Sequence, residues 1–173
     1  TQNPIDQEGT YLLPEAQSDR FMLKCTIDYP KFEDERTVMR MVSTSHQPSV
    51  KPVISLEHIV AAKELINQIY LDEKIEKYIL DMVFATRFPE NYGLSELKNY
   101  ISFGASPRAS INLAIASRAY AFLKGRAFVI PEDVKSLAKD VLRHRIGLTF
   151  EAEAEEISSE EIVNRILAKI QAP

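Results

Sequence analysis

Three short stretches of the 173-residue chain place side chains where they could meet an anion. Thr1-Gln2-Asn3-Pro4 sets an amide beside a proline. Leu13-Pro14-Glu15-Ala16-Gln17-Ser18-Asp19-Arg20-Phe21 ends near an arginine, and Gly104-Ala105-Ser106-Pro107-Arg108-Ala109 puts an arginine in the first turn of a predicted helix. Taken alone, the first two read as ordinary structure. An Asn-Pro step makes a turn, and an arginine at a helix end satisfies the last carbonyls or pairs with a carboxylate, here Asp19 or Glu15. Arg108 fits less easily, because the helix dipole disfavours a cation at the N-terminus. The same placement makes a good anion site, since helix N–H groups and a guanidinium point the same way.

The glycines limit what kind of phosphate chemistry these residues could serve. They stand at positions 9, 93, 104, 125 and 147, so the closest two are eleven residues apart. A P-loop needs two glycines five positions apart followed by Lys-Ser/Thr, and a dinucleotide fingerprint needs three close together. Neither exists within these residues. His46, His58 and His144 lack metal-ligand spacing and Cys25 is remote from all three, so no metal site is predicted. The net charge of −4 is uneven: Phe150–Glu161 holds six glutamates and no cation, whereas 107–147 holds eight Lys/Arg against three Asp/Glu. A mildly acidic chain with one basic helical stretch disfavours general nucleic-acid binding. No apolar run approaches the length of a membrane span, and the lone Cys25 suits a reducing cytoplasm.

The elements that must carry these groups fall into three regions by texture. Residues 1–42 read as mixed α/β, with a helix starting near Pro14, a strand over Phe21–Ile27 and a charged helix over Phe32–Met41. Residues 43–54, polar and holding two prolines, read as a linker. From Ser55 the period is helical. Leu56, Ile59, Val60, Ile66 and Tyr70 are predicted to share a buried face, and Asp72 to cap a helix that buries Ile75, Tyr78, Ile79 and Met82. Ser106-Pro107 starts a third helix, Pro131 a fourth that buries Val134, Leu137, Ala138, Val141 and Leu142, and Ser158 with Glu161 a capping box for the last. The aromatic stretch Phe88–Phe103 reads as packing, and Arg143-His144-Arg145 as cations at a helix C-terminus. Residues 55–173 are therefore a helical bundle. A single strand over 21–27 needs neighbours for its backbone groups, which makes 1–42 read as an incomplete part of a larger unit.

Read in order, TQNP, LPEAQ-DRF, a linker, helices and GASPRA resemble the MoxR family of AAA+ ATPases. The resemblance continues through RAYAFLKGR (118–126), VIPEDV (129–134) and VLRHRI (141–146), and covers nearly the whole chain. It departs at Ser18, where the family often has leucine. The resemblance implies a mainly α fold, with a helical-bundle lid domain over 55–173 preceded by an incomplete α/β remnant of a P-loop NTPase core over 1–42. It implies sensor 1 at Asn3, an arginine finger at Arg20 and sensor 2 at Arg108, with the P-loop, Walker B acids and pore insertions preceding Thr1. Asp34-Glu35 does not replace Walker B, because Lys31 and Glu33 break the buried strand it would need. Further implications are ATP and Mg2+ as ligands of the full-length protein, no tight binding by this chain alone and assembly into a hexameric ring. The family's partners are proteins with von Willebrand factor A domains. Two other readings stay open: a non-catalytic helical interaction module, and DNA binding by the basic 107–147 helices.

Overall fold

The structure is a computed structural model and describes residues 13–44 and 49–173. Within residues 13–44, α1 (Glu15–Ser18) follows Pro14, and α2 (Phe32–Ser43) opens with Glu33, Asp34 and Glu35 in its first turn. Acids at that end complement the dipole, which accounts for Asp34 and Glu35 without any catalytic role. Between these helices the expected strand is not formed. Residues 23–31 take no regular secondary structure and pair in no sheet, and the amide of Lys24 donates instead to the Asp140 carbonyl at 2.8 Å. A ladder needs a parallel or antiparallel neighbour. Here the neighbour is the end of a helix, and side chains accept the task a second strand would have had.

The remaining described residues build the bundle from α3 (Leu56–Gln68), α4 (Glu73–Arg87), α5 (Pro107–Leu123), α6 (Pro131–Leu142), α7 (Phe150–Ala154) and α8 (Ser159–Lys169). α4 buries Ile75, Tyr78, Ile79, Met82, Val83 and Thr86, a three- and four-residue stripe, and Asp72 accepts the Lys74 amide as predicted. α6 buries Val134, Ala138, Val141 and Leu142, leaving Leu137 half-buried. α8 adds Ile162, Val163 and Ile166, with Ile170 packed at the edge. At its start Ser158 caps the Glu161 amide, but the reciprocal half of the box is missing. The Glu161 carboxylate turns to Arg165 at 3.0 Å instead, a charge-assisted bond stronger than one to a neutral amide.

Between α4 and α5 lie two 3-10 turns, Pro89–Tyr92 and Ser95–Asn99, and a strand β1 (Ile101–Phe103). Leu94 and Leu97 enter the core and Tyr92 and Tyr100 pack against it, so part of the aromatic stretch serves packing, while Phe88 and Phe103 are exposed. β1 pairs antiparallel with β2 (Gly147–Leu148), a small ribbon that the helical period did not predict. Gly147 lets the Phe103 ring lie against the backbone there, and a Cβ would make that ring move aside.

α3 departs most from expectation. The helix forms, with Ser55 and His58 exchanging cap bonds, yet none of its residues is buried. Leu56 is 77% exposed, Ile59, Val60 and Tyr70 are exposed, and Ile66 is only half-buried. α3 meets the bundle through its last turn, where Leu65, Gln68 and Ile69 face Phe122 and Arg126 across a shallow groove. Periodicity identifies a face but not what covers it. No helix among the described residues is long and apolar enough to cross a membrane.

Candidate functional site

The start of α5 is built by contacts from α4. Thr86, fully buried, donates its hydroxyl to the Val83 carbonyl at 2.6 Å and accepts the Ala105 amide at 2.9 Å. Arg87 closes the same loop by donating Nε to the Ala105 carbonyl at 2.6 Å. Gly104 lies so close to the Thr86 carbonyl that a Cβ would overlap it. Only glycine lets the two backbones approach this nearly. Ser106 then caps α5 by accepting the Arg108 amide at 3.2 Å, and Pro107 occupies the first helical position, where a missing N–H costs nothing. Arg108 is thereby held at the mouth of α5, with its side chain 53% exposed.

The residues after α1 come to meet it. Asp19 places its carboxylate on Ser106 Oγ at 2.8 and 2.9 Å, on Arg108 Nη1 at 2.7 Å and on Arg145 Nε at 3.1 Å. The sequence offered Asp19 as a partner for Arg20, but the carboxylate points to the helical bundle instead. Burial by itself would raise the Asp19 carboxyl, but the bonds from Arg108 and Ser106 and the charge of Arg145 outweigh it and hold it below its ordinary value. Arg20 follows in the turn after α1, exposed, with its amide on the Gln17 carbonyl. Asn3 lies outside the described residues, as does His46.

Arg145, which the sequence presents only as one of three cations at a helix C-terminus, is the centre of these contacts. It follows α6, its side chain is 0% exposed, and it spends its donors on backbone: Nη2 on the carbonyls of Asp19 at 2.9 Å and Phe21 at 2.5 Å, Nη1 on those of Met22 at 3.3 Å and Val141. A planar guanidinium with five donors can serve several carbonyls at once, which lysine cannot. Its neighbours join in. Arg143 donates to Thr26 Oγ1 at 2.9 Å and pairs with Asp140 and Glu160. His144 Nε2 lies 3.1 Å from the Phe21 carbonyl, a contact that calls for the Nε2–H tautomer. Burial holds the His144 pKa below its ordinary 6.5, with Arg145 and Lys24 adding to the effect and the Phe21 bond opposing it. Cations at a helix C-terminus carry no signal that a segment more than a hundred residues away will dock there.

The end of RAYAFLKGR is tied to VIPEDV. Arg126 forks onto Asp133 through Nη1 at 2.9 Å and Nη2 at 2.5 Å, and Asp133, buried, accepts the Ile130 amide at 3.0 Å. With an isoleucine as N-cap, that acceptor comes from three residues inside the helix. Among the described residues no group of His, Cys, Asp or Glu is placed to hold a metal ion.

The arrangement is thus one aspartate shared by a half-exposed arginine, Arg108, and a buried one, Arg145, at a helix N-terminus anchored from below, with Arg20 exposed beside it. Residues 95–166 match the family model of the AAA lid domain, and residues 1–23 match that of the ATPase family associated with various cellular activities (AAA). Over its whole length the chain is 42% identical to chaperone MoxR1 of Mycobacterium tuberculosis, covering 46% of that protein. The chain belongs to the MoxR family. Its helical bundle contains an AAA lid domain. An uncharacterized Bacillus subtilis protein, YeaC, is 38% identical over all of the MoxR-family chain, which covers 52% of it. A crystal structure of a candidate ATPase from Cytophaga hutchinsonii superposes with a TM-score of 0.93 at 47% identity, over 99% of this chain and 52% of that one. The chain therefore spans about half the length of these relatives.

Proposed function

We propose that the full-length protein is an ATP hydrolase whose sites lie between subunits of a hexameric ring, and that it remodels partner proteins as a chaperone does. Residues 1–42 are read as the end of its nucleotide-binding core, 43–54 as a linker and 55–173 as the lid. In this reading Arg108 is sensor 2 and contacts the phosphates bound by its own subunit. Arg20 is the arginine finger and reaches the γ-phosphate held by the neighbour, while Asn3 as sensor 1 orients the attacking water. Mg2+ accompanies the nucleotide as its counter-ion. Partners with von Willebrand factor A domains and a cytoplasmic location complete the proposal.

The observation that carries it is Arg108 at the start of α5. The site fits phosphate: a half-exposed guanidinium beside helix N–H groups, using one of its N–H groups on Asp19. Phosphoryl transfer asks for positioning and charge stabilisation around the γ-phosphate more than for covalent work, and arginine suits that role. ATP supplies the transferable phosphoryl group; this chain's residues orient it and neutralise its charge. The test is made in the full-length protein. Arg20→Ala is expected to lower turnover by about 10³–10⁵ while leaving ATP binding largely intact. Arg108→Ala is expected to weaken nucleotide affinity or slow turnover. Loss of binding in Arg20→Ala with assembly unharmed would contradict the finger role, and wild-type behaviour of Arg108→Ala would remove sensor 2.

The exposed apolar face of α3 favours a second reading, in which the chain serves only as a helical interaction module. An upstream P-loop lysine and Asp-Glu pair in the gene would decide against it.

A further inference from the structure

Asp19 stands between the two arginines that the proposed function assigns to different active sites. Its carboxylate bonds Arg108 directly and touches Arg145, while Arg145 donates to the carbonyls of Asp19 and Phe21, the residues on each side of Arg20. Ser106 ties the two ends together, since its hydroxyl donates to Asp19 while accepting the amide of Arg108. We propose that Asp19 is a positioning residue that exchanges Arg108 with the nucleotide: phosphate oxygens draw Arg108 off the carboxylate, and the resulting shift of Asp19 moves the segment that carries Arg20. One subunit's nucleotide would thereby set the finger presented to the next. The inference rests on the roles given to Arg108 and Arg20 above and adds a link between them.

Burial decides which arginine leaves. Arg145 has a fully buried side chain, so separating it from Asp19 would strand a charge away from water. Arg108 is half-exposed, and water or phosphate can solvate it as it goes. The cluster of Arg108, Arg145 and Asp19 carries a net positive charge, and removing Arg108 leaves a neutral pair behind. The exchange is therefore electrostatically balanced at both ends, with Arg145 and Ser106 retaining the carboxylate. The movement reaches Arg20 through backbone, because no residue separates it from Asp19 or from Phe21.

The experiment is Asp19→Asn in the full-length protein, read as the Kd of a non-hydrolysable ATP analogue with Mg2+ and as ATP turnover. Asparagine keeps the shape and loses the charge that holds Arg108. The Kd is expected to fall about two- to fivefold, the equivalent of a half-exposed ion pair released from competition, while turnover falls because Arg20 is no longer held. A merely structural role would weaken both. An unchanged or higher Kd overturns the proposal. Should the variant fail to fold, hydrogen exchange in the wild-type protein answers the same question. The Lys24 amide, bonded to Asp140, is expected to exchange faster at saturating analogue, and not to respond in Arg108→Ala. No change at Lys24, or an equal change in Arg108→Ala, overturns the link. If Arg20→Ala and Arg108→Ala behave as stated under the proposed function and Asp19→Asn does not, the link alone falls.

Discussion

At the scale of single residues, the site is organised by one carboxylate and one buried guanidinium. Replacing Arg145 with methionine keeps much of its volume and removes its own donors to the segment 19–22, leaving those of His144, Ser106 and Arg108. Carbonyls near the bundle would lose partners, at a cost of about 1–3 kcal/mol. The expected outcome is faster tryptic cleavage after Arg20 and Lys24 in Arg145→Met, with the far-ultraviolet helix signal retained. Protonation should loosen the same dock in two steps. His144 has its folded pKa below 6.5, so the unfolded or undocked form binds the proton more readily, and stability declines as pH falls through 6.5. Asp19 has its folded pKa below 3.8, so its contribution is present above that value and is lost as pH falls further. Titration of the His144 ring by NMR checks the first step: a value at or above 6.5 in the folded chain would contradict it. Arg108 was legible in the sequence because a cation in a helix's first turn conflicts with the dipole. Arg145 was not, because a cation after a helix agrees with it.

At the scale of elements, local signals decided where helices begin and said less about what they touch. Asp72, Ser106, Pro107, Pro131 and Ser158 all mark starts, since capping depends on residues within one turn of each other. α3 shows the limit: it carries apolar residues at helical steps, but most of that face is exposed and only its last turn meets the bundle. The segment 21–27 shows it again, since apolar residues in an extended stretch form a strand only where another strand lies beside them. The loop that starts α5 depends on Thr86 in α4. Thr86→Val, nearly equal in shape, would leave the buried Ala105 amide without its acceptor and is expected to lower stability by about 1–3 kcal/mol in urea unfolding. Gly104→Ala should act on the same loop by steric overlap with the Thr86 carbonyl, shifting Arg108 and weakening nucleotide affinity in the full-length protein more than Thr86→Val does. Equal binding by wild type and Gly104→Ala would show that the close approach does not govern the site.

At the scale of the whole molecule, the bundle core and the arginine cluster are separate layers. Leu113, Leu142, Ile162 and Ile166 are fully buried, and truncating Leu113 to alanine is expected to cost about 2–5 kcal/mol in unfolding free energy without altering the charges at Asp19. The glycine spacing leaves no P-loop in these 173 residues, so the isolated chain is expected to show no measurable ATP hydrolysis. Robust turnover by a clean preparation would overturn that expectation. Taken by itself, the sequence determined the helical character of 55–173, the caps, the stripe that each core helix buries and the motif order that marks the MoxR family. These depend on spacing within a few turns, or on residues read in line. The tertiary structure alone decided that Asp19 binds Arg108 and Arg145, that Arg145 replaces a neighbouring strand for the segment after Arg20, and that only the last turn of α3 is covered. Those outcomes depend on which groups meet across more than eighty residues of chain, where burial and charge choose the partner and no local period records the choice.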